Sequence, residues 1–222
     1  DTPHSRRRVS LADYEFADLI DQQDKVRLLI DPTSSYAQAA AMAMGRAMDD
    51  VIIAAATGTA YTGETGATSE SVQTAIAASV GTGTGLNLVK LTTAKRLLDD
   101  ADVDPSIPRH IIVGPEQLQN LLAVEQVTSS DYNTVKALVQ GEIDSYLGFK
   151  FTVSNRLAKS GNDRTCIVYA EDGITLGIGK DISARIDERA DKSYATQVYY
   201  CQSIGATRME SAKVVPITCT EA

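Results

Sequence analysis

Two histidines, three cysteines and a few clustered carboxylates are the groups in this 222-residue chain that can do chemistry. His4 lies at the terminus, and His110 sits inside RHIIV, a buried-strand pattern in which a core or edge histidine is the simpler reading than a catalytic one. Cys166, Cys201 and Cys219 are odd in number, far apart and free of any C-x-x-C pair, so neither a disulfide framework nor a zinc site is indicated, and a reducing compartment is. Cys166 and Cys201 read as inert thiols in apolar strands. No serine occupies a Gly-x-Ser-x-Gly elbow, and no cysteine has a histidine nearby to activate it. Asp49-Asp50 and Asp99, Asp100 and Asp102 are the densest carboxylates, but adjacent residues on a helix point apart. Arg46, three and four residues before the first pair, supplies an ordinary surface ion pair. The run Gly81-Thr-Gly83-Thr-Gly85 before a helix imitates a phosphate cradle, yet it lacks the preceding buried strand and the Gly-Lys-Ser/Thr ending, which leaves a flexible hinge. Gly177-Ile-Gly179-Lys180 carries no legible chemistry. No catalytic, cofactor-binding or metal-ligating residue is therefore assigned. Arg6, Arg7 and Arg8 form a basic cluster that is either a solvated edge or a contact with an acidic neighbouring subunit. With the acids Glu15 and Asp18 they are the candidate inter-subunit contacts.

The element that must position everything else is Asp31–Gly58. Ala37, Ala40, Ala41, Met44, Ala47, Met48, Val51, Ile52 and Ala55 recur at spacings of three and four, which predicts one helical face. Asp31 is placed to cap it, Pro32 to open it and Gly58 to stop it. About 25 residues at 1.5 Å each make a rod about 37 Å long, twice an average helix. Its Ala- and Met-rich face calls for a sheet laid closely along it.

Before the rod, His4–Ala12 reads as an exposed strand or extended arm, and Tyr14–Ile30, with Glu15, Asp18, Asp21 and Asp24 among apolar residues, as a short helix and turn. After Gly58 comes a Gly/Thr/Ser/Ala connector with one extended piece around Val72–Ile76. From Leu86 the pattern predicts a helix ending before Pro105, the strand Arg109–Val113, a helix opened by Gly114-Pro115, a further helix after Ser130 or Asp131, and the strand Phe149–Val153. A polar loop, Lys159–Asp163, then leads to Cys166–Tyr169 and Ile174–Ile178. From Lys180 the chain is all strand: Ile182–Ile186, a charged turn at Asp187–Lys192, Val198–Ala206 and Lys213–Ile217, the last at an edge because of Pro216. These closing strands have little core of their own. Packing on the long helix resolves both deficits, with a domain inserted between them.

Hydrophobic residues at 43%, charged residues at 23% and no long apolar run exclude a membrane span. A net charge of −8 argues against avid, sequence-independent binding of nucleic acid. The chain opens at Asp1 without an initiator methionine or a signal peptide, which points either to processing or to a segment upstream.

Three stretches carry a resemblance. LADYEFADLIDQQDKVRLLIDPTSSYAQAAAMAMGRAMDDVIIAAATG is similar to the spine helix, with its lead-in, of the major capsid proteins of tailed double-stranded-DNA phages, whose fold is named after phage Hong Kong ninety-seven. Ser129–Leu157, SSDYNTVKALVQGEIDSYLGFKFTVSNRL, resembles the helix, Gly-Phe turn and strand of their axial domain. Tyr194–Ile217 matches the return to their peripheral domain. The resemblance implies an α+β capsid fold: residues 1–24 as the remnant of an extended loop and lead-in, 25–84 and 179–222 as the peripheral domain, and 85–178 as the inserted axial domain. It also implies an N-terminal arm and the other half of that loop upstream of Asp1. The function it implies is a non-enzymatic shell subunit that needs no cofactor. Such subunits form hexamers and pentamers of an icosahedral head around DNA, assembled in the bacterial cytoplasm, with portal, scaffolding and cement proteins as possible partners. An encapsulin-like compartment shares the fold. A small nucleotide-binding α+β enzyme using Gly81–Gly85 is the reading from another class.

Overall fold

Residues 5–21, 33–81, 83–123 and 145–221 are described by the structure, a computed structural model. His4, residues 22–30 of the helix and turn predicted over Tyr14–Ile30, the Asp31-Pro32 start of the rod and the helix predicted after Ser130 or Asp131 lie outside them. The elements in chain order are β1 (Arg7–Arg8), β2 (Ala12–Ile20), α1 (Thr33–Thr57), β3 (Ala60–Thr62), β4 (Thr68–Glu70), α2 (Leu88–Asp100), β5 (Arg109–Val113), α3 (Pro115–Leu122), β6 (Ser145–Tyr146), β7 (Phe149–Val153), β8 (Lys159–Ser160), β9 (Asp163–Ala170), β10 (Ile174–Arg189), β11 (Ala195–Arg208) and β12 (Val214–Thr220). This is an α+β architecture. The chain divides into two compact units, one made of Asp1–Arg8, Ile53–Thr175 and Thr207–Ala222, the other of Val9–Ile52 and Leu176–Ala206.

The first unit is built on the sheet β12-β9-β5-β7-β6, with β8 paired to β9. β5 pairs parallel with β7 and antiparallel with β9, so RHIIV is flanked on both sides, and its near-continuous apolar run is that of an interior strand. Asn87 caps α2 by accepting from the Lys90 N–H, and Leu91, Ala94 and Leu98 face the core. Gly114 and Pro115 open α3 as read from the sequence. Leu91, Ile111, Phe149, Ile167, Val215 and Ile217 are among the members of one buried core. The predicted loop Lys159–Asp163 is a hairpin turn, because Gly161 adopts the positive φ (+62°) that lets β8 fold back on β9.

The sequence pattern groups Lys213–Ile217 with the strands before it. In the structure β12 pairs instead with β9, Pro216 opposite Ile167, and forms the edge of the six-stranded sheet. Pro216 does sit on an edge strand, where its missing N–H costs little. The connector after Gly58 also holds more order than predicted. β3 and β4 form a hairpin to which β1 adds a third strand, and Ile76 bridges to Ile217.

The second unit holds residues up to Ile52 of α1 and the sheet β10-β11-β2. Here the helix predicted from Tyr14 is corrected: Ala12–Ile20 is a strand, paired residue for residue with β11. Tyr14, Phe16, Asp18 and Ile20 are more buried than Asp13, Glu15, Ala17 and Leu19, an alternation of period two. Asp18 on the apolar side obscured it, while Phe16, Leu19 and Ile20 imitated helical spacing. The strands read as Ile174–Ile178 and Ile182–Ile186 are one sixteen-residue strand, which runs on to Arg189 through the start of the predicted charged turn. Helix and sheet meet as expected at Ala40, Met44, Val198 and Ile204, all buried, and Gln202 Nε2 donates to the Met44 carbonyl at 3.1 Å. Ala41 departs from the predicted face and is exposed. In the last turns burial passes to Ile53 and Ala56, which the 100° step places on the other side of the helix from Ala40. They enter the core of the first unit, where their own residues belong.

The Gly177 and Gly179 positions acquire a purpose here. A Cβ on Gly179 would lie 2.5 Å from Leu11 Cδ1, and one on Gly205 would lie 2.3 Å from the Ser10 carbonyl oxygen. Residues 9–11 cross these strands at van der Waals distance, over a strip that only glycine leaves open.

Candidate functional site

Four backbone carbonyls converge on one guanidinium at the C-terminal end of α1. Arg208, 1% exposed, donates through Nη1 to Gly58 O (2.7 Å), Ala56 O (3.1 Å) and Ala55 O (3.4 Å), and through Nη2 to Glu70 O (2.9 Å). The last carbonyls of a helix have no intrahelical donor and carry the negative end of its dipole, so a buried cation with a planar fork of donors satisfies both needs. Burial, and with it the nearby Arg7 charge, pushes the Arg208 pKa down, and the Glu70 carboxylate counters it.

Glu70 ties three more segments to this point. Its Oε1 accepts from Ser211 Oγ at 2.6 Å, its Oε2 pairs with Arg7 Nη1 at 2.5 Å, and Arg7 Nε donates to the Met209 carbonyl at 2.5 Å. Ser211, and with it Arg7, holds the Glu70 carboxyl below the usual glutamate range. The junction therefore joins the N-terminal strand, the end of the rod, the β3–β4 hairpin and the end of β11. Its chemistry is mechanical: it fixes chain segments and presents no reactive atom.

Of the basic cluster, Arg7 is held within its own subunit, with a side chain only 9% exposed. Arg8 lies over the Tyr61 ring at 4.8 Å, and the Arg6 carbonyl accepts from Thr62 Oγ1 at 3.0 Å. Glu15 is exposed and accepts from Tyr199 Oη at 2.9 Å, which pushes the phenol up to about 12, while Asp18 accepts from the Leu19 N–H. Arg7 and Arg8 lie on β1 with Arg6 just before it, and Glu15 and Asp18 lie on opposite faces of β2.

Other polar groups are equally committed. Lys90, fully buried, donates to Thr84 O (2.8 Å), Gly85 O (2.7 Å) and Thr218 O (3.2 Å). In the Gly81–Gly85 loop, Thr84 and Gly85 thus turn carbonyl oxygens, not N–H groups, toward a cation, the opposite polarity to a phosphate cradle. It is also fastened rather than free, through Thr220 N to Thr84 O and Asn87 Nδ2 to Val80 O. Burial lowers the Lys90 pKa. Near the C-terminus, Glu221 gathers Arg164, Lys159 and Gln117, and the Arg164 bond leads in lowering its pKa to about 2. Asp99 pairs with Arg109 (2.6 Å) and Asp100 with Arg96 (2.7 Å). His110 stacks on Tyr169, its ladder partner, at 5.4 Å. Cys201 departs from the inert thiol read from the sequence: Lys180 Nζ lies 2.9 Å from its sulfur and lowers its pKa. Among the described residues no group of three or more His, Cys, Asp or Glu side chains is placed to hold a metal, and no helix is long and apolar enough to cross a membrane.

Sequence reasoning passed over Arg208, Glu70, Lys90 and Glu221. Two of them carried a signal. Arg208 falls in phase with Val198, Gln202 and Ile204 on the helix-facing side of β11, and Lys90 falls beside the apolar stripe of α2. A charge in phase with a buried face marks a buried charge that needs partners.

Residues 1–221 match the family described as phage capsid protein. No curated protein matches the sequence. Among solved structures, the cyanophage Pam1 capsid is similar over 96% of this chain and 76% of its own, with 14% identity and a TM-score of 0.71. Mycobacterium phage Che8 is similar over 93% and 70%, with 18% identity and a TM-score of 0.69. The capsid of Helicobacter pylori bacteriophage KHP30 is similar over 96% and 76%, with 9% identity and a TM-score of 0.69. At such identities the likeness is one of fold, and it is the capsid fold expected from the long helix and the returning strands. Neither the compartment nor the nucleotide-enzyme alternative is favoured, and family and fold point to a structural protein located in the virion capsid. The chain belongs to the phage capsid protein family and is a major capsid protein, a subunit of the shell.

Proposed function

We propose that this subunit assembles with copies of itself, in rings of five and six, into an icosahedral head that encloses double-stranded DNA, and that it carries out no catalysis. The observation that carries the reading is the family match from end to end of the chain, joined to a 25-residue helix laid on a sheet. A rigid element of this length suits a shell subunit whose many small contacts with its neighbours are individually weak and jointly strong. The net charge of −8 suits a wall that surrounds DNA without gripping it. In this reading assembly takes place in the bacterial cytoplasm. Arg6 and Arg8 on one subunit face acids such as Glu15 and Asp18 on the next, while Arg7 serves its own subunit.

Expression of the full-length gene, followed by light scattering and electron microscopy, tests this. Closed megadalton shells are expected, and nucleic acid rather than cargo protein in particles from infected cells. A stable small monomer under all assembly conditions refutes the proposal.

A further inference from the structure

The N-terminal strand cannot hold itself in place. β1 is a two-residue ladder, Arg7 opposite Thr62 and Arg8 opposite Tyr61, far short of what an independent strand needs. Its strongest fastening is the Arg7 side chain on Glu70 and on the Met209 carbonyl. The carboxylate pairs with Arg7, while Arg208 takes the Glu70 backbone carbonyl, so the two guanidiniums depend on it unequally. Arg208 has Gly58 O, Ala56 O and Glu70 O within 3.1 Å, none of which needs the Glu70 charge. Arg7 keeps one carbonyl when that charge is gone.

We infer that Glu70 is an acid-releasable clasp: neutralising its carboxylate frees the N-terminal segment that carries Arg6, Arg7 and Arg8 while the end of α1 stays capped by Arg208. The groups facing the carboxylate are Arg7 from β1, Ser211 from the turn before β12 and Arg208 from β11. All three favour the charged form, so the clasp is complete above the ordinary glutamate range and opens as pH falls through the lower folded value. Protonation leaves Ser211 a partner, since a carboxylic acid still accepts through its carbonyl oxygen, but removes the charge that Arg7 requires. The inference concerns the subunit itself and stands or falls separately from shell assembly.

Hydrogen–deuterium exchange on the full chain tests it, read as protection factors so that the intrinsic pH dependence of exchange is removed. In Glu70→Gln, protection over residues 5–11 should fall about tenfold at neutral pH, the effect of losing one charge-assisted bond. The last turn of α1 should keep its protection. Acid should bring the unmodified protein to the same level and leave Glu70→Gln flat. Arg7→Gln, which leaves the Arg208 cap intact, should loosen the same segment and serves if Glu70→Gln does not fold. Unchanged protection over residues 5–11 in the variant, or an acid response of equal size in Glu70→Gln, overturns the inference.

Discussion

Replacing Arg208 by methionine keeps most of the side-chain volume and removes every donor from the end of α1. Three acceptors lie within 3.1 Å of the guanidinium, at Gly58, Ala56 and Glu70, and a fourth, at Ala55, is at 3.4 Å. A hydrogen bond from a charged donor contributes about 1.5–3 kcal/mol, and a buried carbonyl left without a partner costs about 1–3 kcal/mol. Against this stands the desolvation of the guanidinium, several kcal/mol, which the methionine variant no longer bears. The net loss should be about 3–5 kcal/mol, as for other broken buried charge networks, and so a large share of the roughly 5–15 kcal/mol that holds a domain together. Arg208→Lys retains the charge but offers one nitrogen where the arginine offers a fork, and should lose about half as much. Denaturant titration of both variants by circular dichroism gives the energies, and hydrogen exchange at Ala55–Gly58 locates them. The reasoning fails if Arg208→Met lies within about 1 kcal/mol of the unmodified protein, or if lysine is no better than methionine.

Gly205→Ala drives a Cβ to 2.3 Å from the Ser10 carbonyl, a backbone atom that cannot rotate away, and should cost about 1–3 kcal/mol in thermal unfolding; full tolerance would mean that residues 9–11 do not cross there. Glu221→Gln should lower the melting temperature at neutral pH, because Arg164 and Lys159 lose their shared carboxylate. With the Glu221 pKa depressed to about 2, its contribution is complete above the ordinary carboxylate range and is lost only as pH falls toward that value, so a stability–pH profile in which variant and parent differ equally at pH 7 and pH 2 would contradict the assignment. Cys201 should alkylate before Cys166, whose thiol is pushed up by the bond to Cys219 and by burial, and Lys180→Gln should slow Cys201 selectively. Equal rates for the two cysteines, read by peptide mass spectrometry, would count against the Lys180 pairing.

The sequence by itself determined the elements whose patterns are local. The helix Thr33–Thr57, the interior strand Arg109–Val113, the Gly114-Pro115 helix start and the edge position signalled by Pro216 follow from periodicity, apolar runs and the backbone limits of proline and glycine. Those causes act over a few residues, so one chain read in order displays them. Tertiary structure alone decided the rest. Whether Ala12–Ile20 became helix or strand depended on β11, nearly two hundred residues away, offering a ladder partner. The destination of β12 was set by a free edge on β9. The junction at Arg208 needed residues 7, 55–58, 70 and 211 in one place, and nothing in their own neighbourhoods announces a meeting. A buried charge is tolerated only where distant carbonyls and carboxylates converge on it, and that convergence is a property of the folded chain.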